Sequence, residues 1–164
     1  MELIIGFSRP KDFKIFSFGV RLQQGWTDYS HVFISLLDTR TNKDIVYEAS
    51  HGDIHPIELT NFKKRVIITE EYKFNISEEQ AVRILEFCQD SFQKKYGFLT
   101  ILGIALNSNA GKDGDKTFIC SEFAARILEV AELIDDVYDV EAITPKEING
   151  LIKRLIREKK LNPV

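Results

Sequence analysis

Apolar and polar residues fall into two regimes along the chain. In the first half, short apolar runs are separated by turn residues. They predict strands over Glu2–Phe7, His31–Leu37, Ile45–Ala49, Ile54–Leu59 and Arg65–Tyr72, because β-branched and aromatic residues dominate these runs and polar clusters bound them. Phe13–Val20 mixes aromatic and small residues and fits strand or helix. The polar stretch Arg21–Ser30 (RLQQGWTDYS) carries Gly25 as its turn. Asp38–Asp44 (DTRTNKD) reads as a hairpin turn, since Asp and Asn favour such loops. Strands this closely spaced predict an antiparallel meander.

In the second half the period lengthens to that of a helix. Ser77-Glu78-Glu79-Gln80 is a capping box, and Ala81, Leu85, Cys88 and Phe92 follow as one apolar stripe. A polar, glycine-containing loop runs from Asn107 to Lys116. A second helix is expected from about Cys120 to Leu133. Thr144-Pro145-Lys146-Glu147 opens a third, with Thr as N-cap, Pro at the first helical position and Glu as the box partner. Ile148, Leu151, Ile152 and Leu155 share one of its faces. Strands followed by helices predict an α+β fold: an antiparallel sheet of five to six strands packed with helices. The length, 164 residues, predicts one domain over 1–164.

Composition narrows the function classes. A net charge of −3 disfavours nucleic acid as a partner, because phosphate binding wants a basic surface. The longest apolar stretch, Gly97 to Leu106, has ten residues where a membrane-spanning helix needs about 20. No basic segment precedes the first apolar residues, so neither a signal peptide nor a transmembrane segment is expected. The two cysteines, Cys88 and Cys120, lie far apart and lack metal-site spacing. They read as free thiols in a reducing, cytoplasmic setting, with no metal and no cofactor expected.

Each chemically capable residue has a plain reading beside a functional one. Cys88, on a mid-chain apolar stripe, needs no explanation beyond a small buried thiol. Cys120 sits where Phe118-Ile119-Cys120 enters a helix, and a helix N-terminus stabilises a thiolate through its free N–H groups. It also shares a helical face with Phe123, Ile127 and Ala131, which fits plain core. His31 opens an apolar strand, where it is either a hydrogen-bonded edge residue or a base with a pKa suited to neutral pH. Glu48, in the partner strand, either faces water or orients a histidine on the adjacent strand. His51 and His55 lie four apart around Asp53, but without helical geometry this is no zinc signature.

In their order, these residues resemble a family. Ser30-His31-Val32 at a strand start, Tyr47-Glu48-Ala49 on the next strand and Ile119-Cys120-Ser121-Glu122 opening a helix are similar to the permuted NlpC/P60 group of papain-like thiol enzymes, its YiiX-like branch in particular. Tyr96 upstream of the cysteine and Ile143-Thr144-Pro145 after its helix extend the resemblance over roughly residues 2–150. It implies a circularly permuted papain-like fold, because histidine here precedes cysteine and a triad is defined by geometry rather than chain order. It further implies Cys120 as nucleophile, His31 as base, Glu48 as the residue orienting His31, and Tyr96 as a site-lining residue. Gly97 follows Tyr96 where close relatives are expected to carry an acid, which bears on the pocket rather than the triad. The implied activity is hydrolysis of an amide, isopeptide or ester bond in a peptide, peptidoglycan-fragment or acyl-lipid substrate, with lipid acyl transfer as an alternative. A non-enzymatic binding or regulatory module on the same fold is the reading from another class.

Overall fold

The computed structural model describes residues 1–38, 41–50, 53–92, 95–96, 117–134 and 143–164. Its elements, in chain order, are β1 (Glu2–Pro10), α1 (Ile15–Gln23), β2 (His31–Asp38), β3 (Lys43–Ser50), β4 (Asp53–Glu58), α2 (Leu59–Arg65), β5 (Val66–Asn75), α3 (Glu78–Ser91), β6 (Lys95–Tyr96), β7 (Thr117–Phe118), α4 (Cys120–Val130) and α5 (Pro145–Arg157). The fold is α+β. Five strands form one antiparallel sheet in the order β4-β3-β2-β1-β5. The expected meander holds from β1 to β4. The chain then returns through α2, and β5 joins the free edge of β1, which becomes an inner strand bonded on both sides.

Strand alternation divides the core between the two faces of the sheet. Leu3, Ile5 and Phe7 of β1 and Val32, Ile34 and Leu36 of β2 are buried in one cluster with Ala81 and Ile84 of α3, Phe123, Ile127 and Leu128 of α4, and Ile148 and Ile152 of α5. On the opposite face, Phe33 and Val46 bury Phe62 of α2. Gly6 permits this second cluster. It pairs with Phe33 across β1 and β2, and a Cβ at Gly6 would lie 2.1 Å from the Phe33 ring. Gly6→Ala must therefore displace the ring, and we expect a loss of about 1–3 kcal/mol by urea denaturation. An unchanged midpoint would mean that the Phe33 ring moves freely.

Helix ends follow the sequence closely. Both capping boxes form, Ser77 with Gln80 and Thr144 with Glu147. The buried face of α3 differs from the expected stripe, however: Ala81, Ile84, Cys88 and Ser91 are buried, whereas Leu85 and Phe92 are exposed. The alternative i, i+3, i+7 spacing through Ile84 fits the helical period equally well, and packing chooses it. Phe13–Val20 resolves mainly into α1. That helix ends at Gly25, whose φ of +76° only glycine adopts without strain. The loop Asn107–Lys116 lies outside the described residues. The short parallel pair β6–β7, absent from the sequence reading, delivers the chain to Cys120. Among the described residues no helix is long and apolar enough to cross a membrane.

Candidate active site

The site arises where two neighbouring strands part. The β2–β3 ladder ends at Ile34↔Tyr47, so His31 to Phe33 on β2 and Glu48 to Ser50 on β3 lie beyond its last rung. His31 remains paired with Ser8 of β1, and Glu48 with His55 of β4. At this parting Cys120 arrives as the first residue of α4. The N-cap of α4 is Ile119, whose side chain cannot accept a hydrogen bond, so the first-turn N–H groups have no side-chain cap. Ser121, fully buried, donates its hydroxyl to the Ile143 carbonyl and ties this turn to the segment that opens α5.

The side chains converge as a chain of contacts. Glu48, only 3% exposed, places Oε2 2.9 Å from His31 Nε2. Cys120 lies close enough to the His31 ring for the two to influence each other's ionisation, which couples the thiol to the histidine that Glu48 holds. The backbone N–H groups of Val32 and Ser121 lie near enough to the Cys120 sulfur to favour its thiolate. The second Glu48 oxygen, Oε1, accepts from Arg65 at the end of α2, and His55 Nε2 stands 3.6 Å from the same oxygen.

A carboxylate and a thiol this deeply buried would normally be neutral. Burial alone would raise the Glu48 pKa, but hydrogen bonds and charge from His31 and Arg65 outweigh it and hold the carboxyl down at about 2. Burial would likewise lower His31. The opposing Cys120 thiolate and the Glu48 carboxylate reverse this and raise it to about 10. For Cys120, burial raises the pKa, while the His31 imidazolium and the Val32 and Ser121 N–H groups bring it below the ordinary thiol value. The arrangement thus favours a thiolate–imidazolium pair, a form in which sulfur is nucleophilic at neutral pH.

Cys88 is the internal contrast. It is fully buried on α3, and burial without a charged partner pushes its thiol up to about 12. Both cysteines are free. We expect iodoacetamide to modify Cys88 only on unfolding. Cys88→Ala should cost about 1 kcal/mol for a small cavity and leave Cys120 labelling unchanged; peptide mapping after timed alkylation checks both.

Of the residues singled out in the sequence, Cys120, His31 and Glu48 are brought together. For Tyr96 the backbone alone is placed, paired with Phe118 two residues before Cys120; its side chain lies outside what is described, as does His51. His55 faces Glu48 on the neighbouring strand. Arg65 was missed. The sequence reading began a strand there, whereas it is the last residue of α2, and that position carries its guanidinium back over β3. The lone carboxylate in the apolar run Ile45–Ala49 was the available signal, because a buried Glu requires more than a neutral histidine to remain ionised. Comparison with protein-family models, with curated proteins and with solved structures finds no match to the chain.

Proposed function

We propose that the protein is a cysteine hydrolase of the permuted NlpC/P60 type, acting on an amide, isopeptide or ester bond through an acyl-enzyme intermediate. The observation that carries this reading is the convergence of buried Cys120 and buried Glu48 on the part-buried His31, with the thiol at a helix N-terminus. The α+β arrangement, with a histidine strand and a cysteine helix meeting at one sheet, supports the circularly permuted papain-like fold as its frame.

In this mechanism the Cys120 thiolate adds to the substrate carbonyl carbon. The backbone N–H of Cys120, at the uncapped helix start, donates to the oxyanion of the tetrahedral intermediate. His31 then gives its proton to the departing amine or alcohol, and the carbonyl re-forms as a thioester. Neutral His31 next takes a proton from water, which adds to the thioester carbonyl; collapse of that intermediate breaks the carbon–sulfur bond, releases the acyl group as a carboxylic acid and regenerates the thiolate–imidazolium pair. Glu48 keeps the imidazole oriented and stabilises its charge throughout, as the third member of a triad does.

The test is covalent labelling with a panel of peptide, ester and lipid electrophiles, followed by mapping of the modified residue. Selective labelling at Cys120 by one electrophile class, lost in His31→Ala, supports the reading and narrows the bond. If Cys120 and Cys88 alkylate equally slowly in the folded protein and both accelerate only on unfolding, the thiols are structural and the hydrolase reading fails.

A further inference from the structure

Helix α1 faces the wrong way for a helix that serves only the core. Ile15, Phe18 and Leu22 recur at i, i+3 and i+7, the spacing of a buried stripe, yet all three are exposed, Ile15 at 77%. Gly19, on the same face, has nothing within 4 Å of where its Cβ would stand. Two further aromatics extend the stripe. Phe13 is 74% exposed with its ring 5.7 Å from Phe18, and Trp26 is 59% exposed with its ring 5.4 Å from Phe18.

Trp26 is held in this display at a conformational cost. Its φ is +60°, a left-handed value uncommon for a bulky side chain, and its N–H is fixed to the Arg21 carbonyl at 2.8 Å. Cations surround the patch. Lys11 and Lys14 are exposed beside Phe13 in sequence, and Lys146 donates to the Gln24 carbonyl at 2.9 Å, against the turn that carries Trp26. Within residues 11–28 the cations Lys11, Lys14 and Arg21 outnumber the acids Asp12 and Asp28 by three to two, in a chain whose net charge is −3, and Lys146 adds a further cation beside its neighbour Glu147.

We propose that α1 and the Gly25-Trp26 turn form a peripheral docking surface for an anionic lipid bilayer, with the exposed aromatic and aliphatic side chains in the headgroup–acyl boundary. Aromatic residues beside lysines are the composition of such interfacial segments. Phe13, Ile15 and Trp26, each more than half exposed, can enter a fluid phase without a shape-matched partner. A second copy fits less well. A nine-residue helix is only about 13 Å long and offers little surface toward the roughly 800 Å² per partner of a stable interface, and a self-dimer would bring the same lysines together. The inference is independent of the chemistry proposed for Cys120. The opposite face of α1 is tied to the site, since Ser17 is hydrogen-bonded at 2.6 Å to Ser30, the residue before His31, so the apolar stripe points away from it.

Trp26 is the only tryptophan in the chain, so its fluorescence reports this surface alone. The full chain is titrated with vesicles of phosphatidylcholine and phosphatidylglycerol, two to one, and with phosphatidylcholine alone. A blue shift and co-sedimentation with the anionic vesicles, weakened by salt, are expected. The triple variant Phe13→Ser, Ile15→Ser, Leu22→Ser should partition at least about tenfold less with an unchanged melting temperature. Lys11→Glu with Lys14→Glu should weaken binding without touching the apolar residues. No shift and no co-sedimentation would overturn the proposal. So would a blue shift that grows with protein concentration in the absence of vesicles and vanishes in the triple variant, because the patch would then join two copies. Cys120 alkylation followed in the same samples separates a failure here from a failure of the hydrolase reading.

Discussion

On the hydrolase reading, Cys120→Ala is expected to abolish turnover and electrophile labelling at this position while shifting the melting temperature by no more than a few degrees. The substitution removes one sulfur from the first turn of α4, and the backbone bonds and the Ser121 tie that hold the turn remain. His31→Ala is the informative companion. It leaves the nucleophile in place but removes the imidazolium, the chief influence drawing the Cys120 pKa below its ordinary value. The burial contribution then stands with only the Val32 and Ser121 N–H groups against it. The thiol should behave more like Cys88, whose burial is unopposed. Alkylation of Cys120 at neutral pH should therefore fall by at least about tenfold, since only the thiolate reacts. Iodoacetamide kinetics between pH 5 and 9, with each cysteine read separately by mass spectrometry, check this. Equal rates in wild type and His31→Ala would break the link between histidine and thiol on which the mechanism rests.

The ion pair has its own signature in stability. Forming it moves a proton from sulfur to nitrogen within the folded chain. Between the ordinary pKa of His, 6.5, and that of Cys, 9.0, the unfolded chain holds one proton on this pair, on sulfur. Where pH lies above the lowered Cys120 value, the folded chain also holds one, on nitrogen. Proton uptake on unfolding is then near zero, and linkage makes the contribution of the pair flat over that part of the window. At lower pH the protonated His31 keeps its stabilisation, while the thiolate loses its own as pH falls through the lowered Cys120 value, wherever below 9.0 that lies. Above the window the order reverses, and the His31 contribution is lost as pH rises through about 10.

Local signals in the sequence carried much of this site, because its parts lie at element boundaries. A histidine opening an apolar strand, a carboxylate inside the next strand and a cysteine at a helix start are each marked by local pattern. The turn of which Asn42 is part, with φ +53°, brings the first two strands side by side. The parting of β2 and β3 was not legible. It depends on where the ladder stops, and the register of Ile34 on Tyr47 is settled by packing on both faces. Arg65 escaped because no helix was expected between the fourth and fifth strands: the apolar pattern began a strand at Arg65, which is the last residue of α2. The outward stripe of α1 reads in sequence as an ordinary buried face, and only the fold shows that nothing among the described core residues covers it.

Glu48→Gln separates the charge of the carboxylate from its shape. Glutamine fills the same space and can still accept a hydrogen bond, but it cannot balance His31 and Arg65. Deprived of that partner, the His31 pKa should drop from about 10, and the rate of Cys120 alkylation should fall less than in His31→Ala. Turnover should likewise suffer less than in Cys120→Ala, since orienting a base is worth less than being the nucleophile, the ordering measured for the subtilisin triad. Stability supplies a second readout. With its carboxyl held at about 2 against an ordinary 4.5, Glu48 contributes stabilisation that is full above pH 4.5 and is lost as pH falls through about 2. We expect Glu48→Gln to cost roughly 1–3 kcal/mol at pH 7, less than a fully enclosed pair would, because the half-exposed Arg65 can return to water. The difference from wild type should shrink steadily below pH 4.5, as protonation makes wild-type Glu48 as neutral as the glutamine. Urea midpoints at pH 7, 5 and 3 test the sign. A difference that stays constant across that range would show that Glu48 acts through packing alone, and His31 would then need another group to keep it charged.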